Sequence, residues 1–316
     1  MTNGRATISG FYPLRYPTHC DPRTLTGRIP AEPDTRPHQS THEPMIVAVK
    51  NLVDHRELIR VLAWKNIAVR YKQAYLGLAW AVIKPLTLML TFTLLRAFIG
   101  IDSGSVPYPV LAYAALMPWI LFQESTSEGI NSIVGNAHLI RKIYFPREVF
   151  PLTAVLTKLV EFAINLLILG AMMAYYGIWP TAQALWLPAI VIYTVVVALS
   201  IAFVGAALNV YYRDVGTAIP VVLSLLMYAS PVIYPLALVQ DKLLTRQAAG
   251  EWSNALYLLY TLNPLAGIVD AFQRVLLKGV PPDPGAMWPG MVLTALTFPV
   301  CYAIFKRAED YFADVI

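Results

Sequence analysis

Six long apolar stretches, separated by polar, charged or proline-containing segments, dominate the hydropathy pattern of this 316-residue chain. One helix needs about 20 mostly apolar residues to cross a bilayer core about 30 Å thick. The stretches meet that length, so the pattern predicts an all-α polytopic membrane protein with six transmembrane helices. Their predicted positions are residues 79–99, 109–130, 151–175, 185–208, 218–239 and 287–305.

Residues 52–74, before the first stretch, have an amphipathic pattern instead. At about 100° per residue, one face is apolar, with Leu58, Val61, Leu62, Ala68 and Val69. The opposite face is basic, with Arg56, Arg60 and Arg70, and the long stem of Lys72 lets its charge snorkel out of the apolar stripe. The pattern favours a helix lying in the membrane interface. A basic leader that only orients the chain is the alternative.

The segment before the last apolar stretch is not uniformly polar. Residues 255–279 contain two apolar helical patches broken at Asn263-Pro264, and each patch is too short to cross a bilayer. Irregular backbone at membrane depth is tolerated where protein covers it or where it lines a cavity. We therefore expect short re-entrant or interfacial helices on the external side.

Lysine and arginine accumulate on one side of the six stretches. The loops 100–107 and 176–184 contain neither residue. The basic residues of the other side are Lys50, Arg56, Arg60, Lys65, Arg70, Lys72, Arg141, Lys142, Arg147, Arg213, Lys306 and Arg307. Because short cytoplasmic loops are enriched in positive charge, both termini are predicted to be cytoplasmic, in a multi-pass protein of the cell inner (plasma) membrane. The net charge of +5 then reflects orientation and anionic lipid rather than nucleic acid.

Composition agrees with a membrane protein and outlines the organisation of the chain. Hydrophobic residues make up 57% and charged residues only 14%, against about 25% charged in soluble domains. Residues 1–45 are proline-rich and polar, which predicts a disordered cytoplasmic tail. The interfacial helix is assigned to 46–76, the six-helix domain to 77–306 and a cytoplasmic C-terminus to 307–316.

Motifs for chemistry are missing from the sequence. There is no G-x-x-x-x-G-K-[ST] phosphate loop, no H-E-x-x-H, no G-x-S-x-G and no paired cysteine and histidine spacing. The chain is therefore predicted to have no catalytic residues and no metal site, and to be a transport protein rather than an enzyme. We expect it to bind no cofactor of its own.

Ionisable residues within predicted spans are candidates for function. Lys158 and Glu161 are three residues apart on one helix face and can pair, either as a structurally neutral couple or in transport. Glu124 and Glu128 must face protein or water rather than lipid. Lys84, near one end of the first span, is expected to snorkel.

Aromatic residues are numerous, with 18 Tyr, 12 Phe and 7 Trp. Many lie in the spans or towards their outer ends, where aromatic belts are common. Some could instead line a conduit, where their rings would stack on sugars. The candidates for a conduit or gate are Tyr228, Tyr234, Tyr257, Tyr260 and Asn263.

Four stretches together resemble one known family. They are RYKQAYLGLAWAVIKPL (70–86), NAHLIRKIYFPREVFP (136–151), LNVYYRDV (208–215) and LNPLAGIVDAFQRVLLKG (262–279). In this order, and on these sides of the membrane, they resemble the permease subunit of type-2 ABC exporters for polysaccharides such as O-antigen, capsule and teichoic acid. Lys84 departs from the family pattern, in which a polar uncharged residue before Pro85 is more usual.

The resemblance implies partners and a mechanism. Two permease copies would form a channel for a lipid-linked polysaccharide, and two separate ABC ATPase subunits would bind ATP and Mg on the cytoplasmic face. The helix 52–74 would flank the entrance through Arg56, Arg60, Arg70 and Lys72, and the helices at 255–279 would gate the exit. The loop at 136–147 would be the coupling helix that docks on the ATPase, with Leu139, Ile140, Arg141, Lys142, Phe145, Pro146 and Arg147.

Three other functions compete with this interpretation. A type-2 ABC exporter of a drug or small lipid shares the six-span plan without needing abundant channel aromatics. A membrane-embedded glycosyltransferase or acyltransferase would need clustered acidic or histidine residues. An ion-coupled carrier would need more intramembrane carboxylates and an internal repeat.

Overall fold

The computed structural model describes residues 56–72, 79–99, 106–141, 146–248 and 253–312, and these residues form helices without any strand. A 3-10 turn at Ala182–Trp186 precedes the helix Leu187–Tyr211, and a π turn at Arg274–Lys278 follows the helix Pro264–Gln273. The helices are α1 Arg56–Lys72, α2 Ala79–Ile99, α3 Tyr108–Gly135, α4 Ala137–Ile140, α5 Val149–Tyr175, α6 Leu187–Tyr211, α7 Asp214–Ala229, α8 Leu236–Ala248, α9 Ser253–Thr261, α10 Pro264–Gln273 and α11 Pro284–Glu309. The all-α prediction is confirmed; the predicted tail 1–45 lies outside the described residues.

Four helical stretches in the described ranges are long and apolar enough to cross a bilayer, namely Ala79–Phe98, Val149–Tyr175, Ala182–Tyr211 and Pro284–Glu309. A fifth is obtained if Ala255–Thr261 and Pro264–Lys278, which meet at 80°, are one broken span. The prediction of a multi-pass membrane protein is thereby confirmed, with four or five candidate spans in the part of the chain that the structure describes.

Two of the predicted spans differ from the helices found. The 28-residue helix α3 covers the second predicted span, but the polar run 123–128 interrupts its apolar character. Helix α7 ends at Ala229, because Ser230 adopts an extended backbone (φ −99°, ψ 155°) ahead of Pro231. The predicted helix 218–239 is therefore wrong in its second half, which forms a turn and the start of α8.

Helix α3 lies at the centre of the larger of two apolar cores, here called the main core. Its side chains Tyr113, Trp119 and Phe122 are fully buried against α5, α6 and α10. Phe162 of α5 and Phe272 of α10 meet edge to face, with ring centroids 6.1 Å apart. Aromatic side chains bury large areas and pack with defined geometry, so the main core holds α10 rigidly against the bundle.

Small residues let α3 and α6 approach closely. A Cβ atom on Gly129 would lie 2.7 Å from that of Ala202, and one on Gly205 would lie 2.5 Å from Cγ1 of Ile130. Close contact through small residues is a common way for helices to associate in membranes. The α3–α6 pair is therefore closely packed, and α5, α10 and α11 contact it.

A second, smaller core lies where α3, α6 and α11 end and α5 begins; it is called the loop-end core. It also receives one buried side chain each from α1 and α4. Its buried members are Leu62, Ile133, Ile140, Val149, Phe150, Val155, Leu199, Phe203, Ala206, Ala207, Val210, Phe305 and Phe312. Helices α2 and α7, in contrast, bury few side chains: Pro85 and Phe92 in α2, Leu223 and Met227 in α7.

Candidate functional site

The loop between α3 and α5 carries the predicted coupling residues. Helix α4 is a single turn, Ala137–Ile140, that starts after the α3 C-cap Asn136. Ile140 is only 8% exposed and packs in the loop-end core, with Leu139 half-buried beside it. The side chain of Ile140 therefore packs in this chain's own core, while its predicted role in docking stays a prediction. Arg141 is exposed, and Lys142 and Phe145 lie outside the described residues.

The end of the same loop is tied to the last helix. The backbone N–H of Arg147 donates to Oε1 of Glu309 at 3.1 Å, and its guanidinium lies 5.7 Å from the ring centroid of Phe312. A cation over an aromatic face is attracted by the ring quadrupole. Arg147, next to the half-buried Pro146, thus makes internal contacts, and its predicted role as a polar contact to a partner stays a prediction.

The sequence interpretation missed Glu148. This residue is 2% exposed, accepts from Lys306 Nζ at 2.8 Å and accepts from the Tyr302 hydroxyl at 2.9 Å. Lys306 also contacts Oε2 of Glu309 at 2.7 Å. We call Arg147, Glu148, Tyr302, Lys306, Glu309 and Phe312 the clasp. In the sequence, a basic and an acidic residue lie close together both in the loop and near the C-terminus. This pattern was the available signal for ion pairs. No local spacing indicates, however, that residue 148 pairs with residue 306.

Helix α1, the predicted entrance helix, is amphipathic in a different way from the prediction. Leu62 is buried in the loop-end core and Leu58 packs against it, while Val61 and Trp64 are 63% and 71% exposed. Arg56 and Arg60 are exposed, and the side chains of Arg70 and Lys72 lie outside the described set. The apolar face is therefore divided between contact with the protein core and an outward surface of Val61 and Trp64.

Lys158 and Glu161, the candidate intramembrane charges, contact each other in the structure and belong to a larger network. Lys158 is 2% exposed, and its Nζ lies 3.2 Å from Glu161 Oε1, 3.2 Å from Glu124 Oε2 and 3.6 Å from Glu128 Oε1. Lys84 bonds to the other oxygen of Glu124. Lys84, expected to snorkel, is half exposed and also contacts a carboxylate of α3.

Neutral side chains extend this network. The Tyr113 hydroxyl donates to Asn165 Oδ1 at 2.9 Å. The Asn165 amide donates to the carbonyl oxygens of Ala81 at 3.1 Å and Glu161 at 2.9 Å. We call Lys84, Tyr113, Glu124, Glu128, Lys158, Glu161 and Asn165 the polar seam. It joins α2, α3 and α5, and it pairs charges that would otherwise be expensive at membrane depth.

The residues predicted to form a gate meet where α7, α9 and α10 converge. The Tyr260 and Tyr234 hydroxyls lie 3.4 Å apart, and Tyr234 donates to the carbonyl oxygen of Tyr228 at 3.4 Å. Asn263 caps α10 by accepting from Leu265 N, and its amide donates to Ser230 Oγ at 2.8 Å. The fifth candidate, Tyr257, lies one turn before Tyr260 and is half-buried.

A hydrogen-bonded knot at the other end of α7 was not predicted. The Asn209 amide donates to the carbonyl oxygen of Ile130 at 3.2 Å and to Asn131 Oδ1 at 3.2 Å. Its Oδ1 accepts from the Gly216 N–H at 2.9 Å. Asn209 belongs to the stretch LNVYYRDV, so its resemblance to a family motif was the only sequence signal. The knot fixes the start of α7 on α3 and α6.

Comparison of the sequence with known proteins gives relatives and a family. The O-antigen export system permease protein RfbA of Myxococcus xanthus is 29% identical over 276 residues, which cover 86% of this chain and 100% of that protein. Two proteins of the same name from Klebsiella pneumoniae are 26% and 25% identical, over 71% and 82% of this chain and over 82% and 95% of their own lengths. The family model described as ABC-2 type transporter matches residues 57–277, from α1 through most of the π turn. That match spans well over half of the sequence, and the chain belongs to the ABC-2 type transporter family of membrane transport proteins.

Proposed function

We propose that this chain is the permease subunit of an ATP-driven exporter that moves a lipid-linked polysaccharide across the inner membrane. The observation that carries the proposal is the similarity of most of the chain to three proteins named as O-antigen export permeases. The conduit would be formed by two copies of the permease. ATP and Mg would be bound by separate ABC ATPase subunits on the cytoplasmic side, where both termini of this chain also lie.

Six crossings are compatible with the helices described. Helix α3 is long enough to cross, and its polar half faces the seam rather than lipid. Helix α7 has 16 residues and therefore a length of about 24 Å, somewhat short of a full hydrocarbon core. The bent pair α9–α10 would then enter from the external side and return to it, as re-entrant helices next to the end of α7.

Coupling to the ATPase would use the loop 136–147. Arg141 is exposed and Leu139 is half-buried at its surface, so these two residues remain candidates for direct contact. Lys142 and Phe145 remain candidates from the sequence. Ile140 and Arg147 would instead support the loop from within, since their described contacts are internal.

The path of the glycan would begin at α1 and end at the tyrosines near α9. Exposed Arg56 and Arg60 suit the phosphate groups of lipid headgroups or of a lipid-linked substrate, while Val61 and Trp64 suit the apolar part of the interface. Tyr228, with 60% of its surface exposed, offers a ring face on which sugars can stack. Tyr234 and Tyr260 would hold the exit closed through their hydroxyl contact.

Deletion of the gene in its native host tests the proposed substrate class. We expect glycan synthesis to continue while lipid-linked polymer accumulates inside the cell, because synthesis precedes export. Surface polysaccharide and intracellular lipid-linked polymer would be measured by immunoblotting and by lipid extraction. Normal surface polymer in the deletion strain would contradict the proposal and favour the alternative of a drug or small-lipid exporter.

A further inference from the structure

Glu148 directly precedes α5, but its side chain does not cap that helix. It occupies the N-cap position of α5 with helical backbone angles, and its side chain makes no capping hydrogen bond. A carboxylate at this position would ordinarily interact with the free N–H groups of the first turn. Here it points to α11 and contacts Lys306 and Tyr302. The side chain is therefore committed to a contact between helices.

The polar contacts of the clasp form a closed ring. Lys306 bridges Glu148 at 2.8 Å and Glu309 at 2.7 Å, and Glu309 returns to the loop by accepting from the Arg147 N–H at 3.1 Å. Arg147 and Glu148 are adjacent in the chain, so the peptide bond completes the ring. Two contacts from neighbouring loop residues to one turn of α11 fix both the position and the orientation of the loop.

An aromatic floor supports the ring. Phe305 and Phe312 are completely buried, with ring centroids 5.6 Å apart, and Phe203 of α6 lies 5.0 Å from Phe305. Closely packed interiors transmit displacement rather than absorbing it. A displacement of residues 146–148 must therefore carry the end of α11 with it or separate the buried carboxylate of Glu148 from its partners.

We infer that Glu148 and Lys306 are positioning residues that join the coupling loop to the last helix, so that α11 moves together with the loop. The inference rests on the proposed function in one respect, namely that an ATPase acts on residues 136–147. It identifies α11, in addition to α3 and α5, as a direct recipient of that movement. Transmission through α5 alone would need no contact between residues 148 and 306.

A distance measurement tests the link without any substrate. In a chain whose two cysteines, Cys20 and Cys301, are replaced by serine, spin labels would be placed at His138→Cys, Tyr311→Cys and Trp179→Cys, two at a time. All three positions are exposed. One labelled copy per permease–ATPase complex would be compared without nucleotide and with trapped ADP-vanadate by pulsed electron paramagnetic resonance.

We expect the 138–311 distance to be the same in both states while the 138–179 and 311–179 distances change. In the Lys306→Met background the 138–311 distance should differ between the states. A 138–311 distance that changes in the chain with Lys306 intact would overturn the inference, as would an unchanged distance in the Lys306→Met chain while 138–179 still changes. A complex in which none of the three distances responds to nucleotide would overturn it as well.

A transport measurement separates positioning from simple stability. We expect Lys306→Met to reduce surface polysaccharide per permease molecule about tenfold, a typical size for the loss of coupling between two sites. Permease abundance, association with the ATPase and ATP hydrolysis should persist, and Lys306→Arg should restore export. The matched control is Arg307→Met, which removes a cation from the next, exposed position of α11 and should change none of these quantities.

Export that falls only in proportion to permease abundance would overturn the positioning role, and so would a parallel loss of ATP hydrolysis. Failure of the proposed function is a separate result. If the chain with Lys306 intact restores no polysaccharide to a deletion strain, the substrate class is wrong, whereas the distance measurement still decides whether the clasp joins the loop to α11.

Discussion

The polar seam and the clasp are two clusters of charged side chains with different charge balance and different surroundings. The seam has two lysines for three carboxylates, whereas the clasp has Lys306 and Arg147 for two carboxylates. The seam anchors α2, which among its described side chains buries only Pro85 and Phe92. The clasp lies on Phe305 and Phe312, both fully buried. The seam therefore adds polar contacts to the partly buried apolar contacts of α2, whereas at the clasp charge orients an interface that apolar packing already forms.

Burial also differs within the seam. Lys158 is 2% exposed and contacts three carboxylates, whereas the side chain of Lys84 is 51% exposed and bonds to Glu124. Removal of one partner from a buried ion pair leaves an uncompensated charge, while an exposed pair is screened by solvent. Equal changes in charge at these two lysines should therefore have very unequal effects.

The largest expected effect follows from Lys158→Met. The substitution keeps an unbranched side chain but leaves the carboxylates of α3 and α5 without their buried cation, which should destabilise the protein by about 3–5 kcal/mol. Thermal unfolding in detergent and membrane abundance would measure the loss. Added Glu161→Gln should recover part of it, and an unchanged midpoint of unfolding for Lys158→Met would contradict the central role of this lysine in the seam.

At the clasp, Phe305→Ala should destabilise the protein as much as Lys158→Met does in the polar seam, or somewhat less. Phe305 is completely buried between Phe203 and Phe312, and truncation of a buried phenylalanine costs about 3–5 kcal/mol. Lys306→Met on the same turn should destabilise less, because the Tyr302 hydroxyl still donates to the buried Glu148 carboxylate and solvent reaches the site of Lys306, whose side chain is 31% exposed. The midpoints of thermal unfolding of the two variants would be compared. A lower midpoint for Lys306→Met than for Phe305→Ala would mean that charge, rather than apolar packing, dominates the stability of the clasp.

Gly129→Ala tests helix packing at a contact that contains no charged side chain, and its loss of stability can be compared with those of the seam and clasp variants. The new Cβ would lie 2.7 Å from that of Ala202, and overpacking of this kind costs about 1–3 kcal/mol. Gly170→Ala is the matched control, since Gly170 also lies inside a helix but has nothing within 4 Å of an added Cβ. Equal unfolding midpoints for the two variants would show that α3 and α6 can move apart to accommodate the added methyl group without a loss of stability.

Lys84→Met should have the smallest effect on stability, about 0–1 kcal/mol. Lys158 continues to neutralise Glu124 after Lys84 is lost, so no carboxylate becomes unpaired. We expect a larger change in the attachment of α2, measured as faster modification of a cysteine introduced at Ala81, whose carbonyl oxygen accepts from Asn165. A loss of stability as large as that of Lys158→Met would mean that the two lysines are equivalent, which their burial argues against.

The candidate site was predictable in outline and not in detail. Lys158 and Glu161 are one helical turn apart, so their pairing follows from local geometry. Glu124 lies 34 residues from Lys158 and 40 from Lys84, and only packing of α2, α3 and α5 brings these groups together. The internal packing of Ile140 could not be predicted for a related reason: an apolar side chain in a short amphipathic helix suits a partner and the chain's own core equally well.

The sequence by itself determined that this chain is a helical, multi-pass membrane protein, because span length and charge asymmetry are local properties that the bilayer imposes on each segment. Four short stretches in order were also enough to indicate the ABC-2 type transporter family. Tertiary structure alone decided which residues of those stretches face inward, how Glu148 reaches Lys306 across 158 positions, and where α7 stops. Those outcomes depend on the simultaneous packing of several helices and on the need of every buried charge for a partner.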